Sequence, residues 1–184
     1  RFGNNAKLMS KETGEQAMHY FVKRGRLFDL KYLFVSFLGG EPLMNFHLMK
    51  HIIEFNKKEF PDIKFSYTFT TNATLLTKQK IDYIKNQDIS ILISLDGTKE
   101  IHDKYRIYKD GSGSFDKVMK NILLLKESNV PFSIRSTLSH SDFKYYENII
   151  NYFTNIGVQQ IFVSRLSNYN VHSDWFDINV EELE

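Results

Sequence analysis

Two spacings of apolar residues alternate along the chain, one typical of helices and the other of strands. The first helix is predicted after Ser10, which stands as an N-cap before an acidic first turn. Its apolar positions recur at helical spacing and are Ala17, Met18, Phe21 and Val22. The nearly continuous apolar run from Tyr32 to Leu38 then ends at two glycines, which predicts a short strand buried on both faces.

The same alternation continues as four further units of a helix followed by a strand. The predicted helices cover residues 45–60, 77–85, 114–125 and 145–156. The predicted strands cover residues 64–70, 89–95, 131–138 and 159–163. Ser114 is the expected N-cap of the fourth helix, and Asp96-Gly97 is expected to form a turn. A helix before each of five strands predicts an α/β fold with a parallel sheet, either a doubly wound open sheet or a partial barrel.

Composition narrows the possible function classes. The chain has 184 residues, of which 42% are hydrophobic and 25% charged, as in one ordinary globular domain. A formal net charge of +2 gives no electrostatic reason to expect nucleic acid or an anionic membrane as a partner. The sequence contains no cysteine, which excludes disulfides and thiolate-held clusters within these residues. We expect a reducing, cytoplasmic location.

Polar residues gather where the predicted strands end, and ligands of parallel α/β folds bind at those carboxyl ends. Gly39 and Gly40 let the backbone approach a ligand closely, and the carboxylate of Glu41 is suited to a ligand's ammonium group. Taken alone, Gly-Gly-Glu-Pro is better explained as a turn that opens the next helix. Asn72 and Ser94, which end the next two strands, could likewise be helix caps.

Four motifs in order carry a family resemblance: GGEP, TTNATLL, SLDG and IHDKYR. Together they resemble the radical S-adenosylmethionine superfamily, and most closely the branch of anaerobic sulfatase-maturating enzymes and peptide thioether maturases. The resemblance implies a partial (β/α)6 TIM-type barrel that here lacks its first strand. It assigns residues 1–166 to the core barrel and 167–184 to the start of a linker to a C-terminal region.

The resemblance also implies a binding site for S-adenosylmethionine. Its residues would be Gly39, Gly40, Glu41, Asn72, Ser94, Arg106 and Leu166. The GGE segment would meet the aminopropyl end, Ser94 the nucleoside or methionine moiety, Arg106 the methionine carboxylate, and Leu166 the adenine. Asn72 would orient substrate or ribose. The competing interpretation of Arg106 is a solvated charge, and His102 is interpreted as structural.

The implied activity is reductive cleavage of S-adenosylmethionine at a [4Fe–4S] cluster, giving a 5′-deoxyadenosyl radical that modifies a peptide or protein side chain. The expected electron donor is a ferredoxin or flavodoxin. The family holds its cluster by a CxxxCxxC loop, which would precede Arg1, so these residues alone are expected to be inactive.

Two other interpretations stay open. One is a non-catalytic barrel module that binds a nucleoside or peptide without a cluster. The other is an ordinary α/β nucleotide-binding enzyme, which is disfavoured because neither G-x-G-x-x-G after a strand nor G-x-x-x-x-G-K-[ST] occurs.

Overall fold

The computed structural model describes residues 8–158 and 160–166. Helices and strands alternate through this part of the chain. The helices are α1 (Lys11–Arg26), α2 (Phe46–Glu59), α3 (Lys78–Lys85), α4 (Lys99–Tyr105), α5 (Phe115–Glu127), α6 (His140–Phe143) and α7 (Tyr146–Asn155). The strands are β1 (Tyr32–Phe37), β2 (Lys64–Thr71), β3 (Ile89–Ser94), β4 (Phe132–Leu138) and β5 (Ile161–Arg165). They form one sheet in the order β1-β2-β3-β4-β5.

The predicted α/β class, its five strands and the helix before each strand are confirmed. Helices α4 and α6 were not predicted, because seven and four residues are too short to show a helical period. A separate 3-10 turn, Pro42–Asn45, precedes α2. The predicted linker, residues 167–184, lies outside the described residues.

The chain divides into two compact units, one of Arg1–Thr71 with Leu75–Ile91 and the other of Asn72–Thr74 with Leu92–Glu184. In the first unit, β1 pairs in parallel with β2, with Tyr32 opposite Lys64. One side of these strands packs on α1 and α2. The buried cluster consists of Met18, Val22, Leu33, Ile52, Phe60 and Ile63.

Strand β1 is covered on one face only, so the predicted burial of both faces is wrong. Leu33 is buried in the cluster against the helices, whereas Tyr32 and Phe34 are 51% and 55% exposed. No described helix covers the Tyr32 side of this strand within the first unit. The apolar run misled the prediction because large aromatic residues occupy this open face as well as the packed one.

In the second unit, β4 pairs in parallel with β5, and Arg135 lies opposite Phe162. Burial alternates along β4, since Ile134 and Leu138 are almost fully buried. Helices α5 and α7 contribute buried apolar residues to the same unit, among them Val118, Ile122, Leu125, Ile149 and Phe153. Each helix thus turns one apolar stripe inward.

None of the helices in the described part of the chain has the length and apolar character needed to cross a bilayer.

Candidate functional site

The end of β1 holds a carboxylate in a fixed position. Gly39 adopts φ +155°, a conformation that residues with a Cβ rarely take, and nothing lies within 4 Å of the place where a Cβ would stand. Two residues later, Oε1 of Glu41 accepts hydrogen bonds from the Leu43 backbone N–H at 3.0 Å and from Thr71 Oγ1 at 2.8 Å. The first bond caps the short 3-10 turn. Glu41 is therefore an oriented acceptor beside an accessible glycine backbone.

Asn72 follows β2 and belongs to the second unit. Its Oδ1 accepts from the Thr74 backbone N–H at 3.0 Å and from Thr74 Oγ1 at 2.7 Å. Between them, Ala73 takes a positive φ of 60°, and its carbonyl accepts from Asn121 of α5 at 2.7 Å. This side-chain turn holds the TNAT segment in place. These hydrogen bonds account for the bend after β2, so the bend itself does not indicate a ligand site.

Asp96 and Arg106 form a largely buried ion pair in the second unit. Nε and Nη2 of Arg106 donate to Oδ2 and Oδ1 of Asp96 at 2.5 and 3.0 Å, so the ion pair is bidentate. The Asp96 side chain is 4% exposed and that of Arg106 is 30% exposed. Oδ1 of Asp96 also accepts from the Thr137 backbone N–H at 3.0 Å. Arg106 is thus an anchored residue, and its interpretation as a solvated charge is wrong.

A second chain of hydrogen bonds runs through His102. The Asp96 backbone N–H donates to His102 Nδ1 at 3.3 Å, so the ring proton stands on Nε2, which lies 3.0 Å from Ser114 Oγ. The Ser114 hydroxyl in turn donates to the Arg106 carbonyl at 2.8 Å. Burial lowers the pKa of His102 to about 4. The imidazole is therefore neutral near pH 7 and joins both residues of the ion pair, in agreement with its structural interpretation.

The other residues of the HDKYR segment are also bound by their side chains. Asp103 Oδ1 accepts from the Phe115 backbone N–H at 2.8 Å, at the start of α5. Lys104 donates to Asp142 at 3.0 Å, and the Tyr105 hydroxyl donates to Ser139 Oγ at 3.0 Å. The motif is consequently a connector that ties α4 to α5 and to the α6 region.

Ser114 occupies the N-cap position of α5, as predicted, but its hydroxyl does not cap the helix. Its side chain makes no capping bond, because the hydroxyl is used by His102 and Arg106. The carboxylate of Asp103 occupies the capping position instead. Burial raises the pKa of Asp103, but the Phe115 N–H and the Lys99 ammonium outweigh it, and the net shift is downward. A carboxylate at a helix N-terminus is favourable, which explains the exchange of roles.

Two predicted site residues stand at strand ends of the second unit. Ser94 is the last residue of β3 and is partly exposed. Leu166 follows β5, and its backbone N–H donates to the Leu138 carbonyl at 2.9 Å. Both therefore lie at carboxyl ends of strands, where parallel folds bind ligands.

Two grooves in the first unit contain none of the seven predicted site residues. The larger, of about 290 Å³, lies between α2 and α3 and is lined by Phe46, Lys50 and Tyr83 among others. The smaller, of about 230 Å³, lies near Phe60 and Asp88. Both are bordered mainly by helix and loop residues rather than by strand ends, so they do not mark the ligand site that the motifs predict.

Asp96 was predicted from the sequence as part of a turn only, but the structure gives it a larger part. It is 3% exposed and organises Arg106, His102 and Thr137. Neither its neighbours nor its spacing distinguishes a buried, paired aspartate from a turn aspartate. Gly97 after it adopts φ +155°, and a Cβ there would lie 3.1 Å from Ile149. Close packing therefore adds to the need for glycine.

Comparisons with known proteins agree on one family. The family model for the Radical SAM superfamily matches residues 15–153. The uncharacterized protein MJ0907 of Methanocaldococcus jannaschii is 33% identical over 85% of this chain and 53% of its own length. The cysteine-type anaerobic sulfatase-maturating enzyme of Clostridium novyi is 35% identical over 64% of this chain and 32% of its own length. The chain thus spans about half or less of these relatives.

The fold likeness is equally clear. Native anSMEcpe with bound AdoMet and Kp18Cys peptide matches the structure with a TM-score of 0.80 and 22% identity, over 91% of this chain and 47% of that one. This likeness confirms the predicted partial-barrel fold class.

Proposed function

Because the chain belongs to the radical SAM superfamily, we propose that it binds S-adenosylmethionine and forms the core of an enzyme that cleaves it reductively to modify a peptide or protein side chain. The observation that carries the proposal is the family match over residues 15–153, which includes all four motifs, GGEP, TTNATLL, SLDG and IHDKYR. Fold alone does not establish function, so the site residues must carry the rest.

The segment Gly39-Gly40-Glu41 is the proposed site for the ammonium group of S-adenosylmethionine. The side chain of Glu41 is held by Leu43 and Thr71, so its orientation is set before a ligand arrives. A preorganised carboxylate binds a cation with less loss of side-chain entropy than a mobile one. Nothing lies within 4 Å of the place where a Cβ of Gly39 would stand, so the backbone there is open to the ligand.

Ser94, Arg106, Leu166 and Asn72 are the remaining proposed contacts. Ser94, partly exposed at the end of β3, is the proposed contact to the nucleoside or methionine moiety. Arg106 uses two donors on Asp96, and its partly exposed guanidinium keeps further N–H donors for the methionine carboxylate. Leu166 offers an apolar surface for adenine, and Asn72 a polar group for ribose or substrate.

The cluster itself does not fit the residues of this chain. Thiolates hold [4Fe–4S] clusters, and the sequence contains no cysteine. When bound, such a cluster would supply an electron for cleavage of the sulfonium. We propose that its ligands come from outside these 184 residues, that this segment alone does not cleave S-adenosylmethionine, and that a cytoplasmic ferredoxin or flavodoxin is the electron donor.

A peptide or protein is the proposed substrate. Support comes from the peptide bound in the anSMEcpe structure and from the sulfatase-maturating activity in the name of the Clostridium novyi relative. The exposed Tyr32 and Phe34 on the open face of β1 are consistent with contacts to a peptide.

Calorimetric titration with S-adenosylmethionine tests the proposal. We expect the chain to bind it and Glu41→Gln to weaken binding at least tenfold, because the charge-assisted contact to the ammonium is lost. Glu59→Gln is the matched control, since Glu59 is exposed at the end of α2. Equal affinities of the two variants would remove Glu41 from the site. Binding of a phosphate nucleotide in place of S-adenosylmethionine would overturn the proposed function.

A further inference from the structure

Arg135 lies in the middle of β4 on the face that helices do not cover. Its neighbours along the strand, Ile134 and Ser136, are completely buried, whereas Arg135 is exposed. Side chains alternate between the two faces of a strand, so Arg135 points away from the packed core. Arg135 therefore presents its cation on the exposed face of the sheet.

The guanidinium of Arg135 has no hydrogen bond or ion pair with any residue between 8 and 166 that the structure describes. Arg106, in contrast, holds Asp96 through two donors, Nε and Nη2, and Arg26 donates from Nη2 to both carboxylate oxygens of Asp62. Arg135 is therefore a cation whose donors are available to a ligand.

Arg135 has an aromatic ring, that of Phe162, on one side. On the other side is Ser94, which belongs to the proposed ligand site. On β5 its partner is Phe162, which is 47% exposed. On the other side, β3 is the neighbouring strand, and the Leu95 backbone N–H donates to the Arg135 carbonyl at 3.1 Å. In a parallel ladder this bond places Ser94 opposite Arg135. Ser94, Arg135 and Phe162 thus form one row across the open face.

This row is suited to a carboxylate. A guanidinium binds a carboxylate through two parallel N–H donors, and the apolar ring of Phe162 reduces the competition from water on one side. S-adenosylmethionine carries a single carboxylate, for which Arg106 is proposed. Arg135 is a second cation, beside Ser94, and is therefore suited to an anionic group of the peptide substrate.

We propose that Arg135 binds an aspartate or glutamate side chain of the peptide substrate and makes the protein prefer peptides with an acidic residue near the modified position. This inference rests on the proposed function, because it places the peptide beside the Ser94 region. Arg135 would be a specificity-determining residue, with no part in the chemistry itself.

The test uses two capped pentapeptides, Gly-Ala-Glu-Ala-Gly and Gly-Ala-Gln-Ala-Gly, titrated into the chain in the presence of S-adenosylhomocysteine and followed by NMR. We expect the glutamyl peptide to bind about tenfold more tightly than the glutaminyl peptide. Arg135→Gln should abolish this difference, and Arg135→Glu should create a preference for Gly-Ala-Lys-Ala-Gly. Arg24→Gln, on an exposed position of α1, is the matched control.

A second titration separates the two possible sources of the carboxylate. S-adenosylhomocysteine carries the amino-acid carboxylate, and 5′-methylthioadenosine lacks it. We expect Arg135→Gln to bind both as the unchanged chain does. Selective weakening of S-adenosylhomocysteine would assign Arg135 to the cofactor and overturn the proposal.

Other outcomes are equally decisive. Absence of a glutamyl preference in the unchanged chain, or its persistence in Arg135→Gln, overturns the role of Arg135 while leaving cofactor binding intact. Failure of the unchanged chain to bind any adenosyl ligand overturns the proposed function instead. If Arg135→Gln unfolds, as a thermal melt would reveal, Arg135→Lys retains the charge and should keep part of the preference.

Discussion

Asp96 and Arg106, ten residues apart, are joined in two ways. Their side chains form a bidentate ion pair, and a chain of hydrogen bonds through His102 and Ser114 also connects them. The second connection runs from the Asp96 backbone N–H to the Arg106 carbonyl. Because both connections close the same loop, the arginine is held in one place with part of its guanidinium exposed. An arginine held in this way is preorganised for an anionic ligand group.

Asp96→Asn should destabilise the chain by about 2–4 kcal/mol, because the substitution removes the buried charge that faces Arg106 and weakens the acceptor for Thr137. Urea unfolding measures the change. The matched control is Asp116→Asn, since Asp116 also pairs with a cation, Lys99, but its side chain is 79% exposed. There we expect less than about 0.5 kcal/mol. Equal effects of the two substitutions would show that burial of Asp96 contributes little.

Stability should fall between pH 6.5 and pH 4 because of His102. Burial lowers the pKa of this imidazole from 6.5 to about 4, so the unfolded chain binds a proton in this range that the folded chain does not. The contribution of the neutral His102 imidazole to the free energy of unfolding is complete above pH 6.5 and disappears as the pH falls through 4. Urea unfolding at several pH values measures it.

The variant His102→Gln isolates this contribution, because glutamine has no charge to gain in that range. We expect its stability to depend less on pH than that of the unchanged chain. His47→Gln, at an exposed position of α2, should leave the pH dependence as it was. The same slope in His102→Gln as in the unchanged chain would contradict the lowered pKa.

Gly113→Ala should cost about 1–3 kcal/mol, because the new Cβ would collide with the Asp103 carboxylate that caps α5. Urea unfolding of a double-mutant cycle with Asp103→Ala measures the collision. In the Asp103→Ala background the same glycine substitution should cost clearly less, since the clashing carboxylate is absent. Additive effects would mean that the glycine is needed for another reason.

Ser10→Ala and Ser114→Ala should both destabilise the chain, but for different reasons. Ser10 Oγ accepts from the Thr13 backbone N–H at 3.2 Å, and loss of this N-cap costs about 1 kcal/mol. Loss of the Ser114 hydroxyl leaves His102 Nε2 without its partner and costs about 1–3 kcal/mol. Double-mutant cycles with His102→Gln should show coupling for Ser114 and additivity for Ser10. Coupling at both serines would contradict the assignment.

The sequence predicted the regular elements well because their signals are local. Ser10 was identified as the cap of α1, and the structure has that hydrogen bond. Apolar periods located all five strands to within a few residues. Ser114 shows the limit of the same rule: its position before α5 has the composition of a cap, but His102 and Arg106 compete for its hydroxyl from residues 12 and 8 positions away.

The candidate site, like the fold, was predicted from the sequence only in part. Its motifs are contiguous, so the sequence alone determined the α/β class, the family and the residues to inspect at the strand ends. The sequence alone did not determine that Asp96 is buried against Arg106, that His102 is neutral, or that Arg135 lies between Ser94 and Phe162. These relationships depend on strand register and burial, and both arise only when elements distant in the chain pack together.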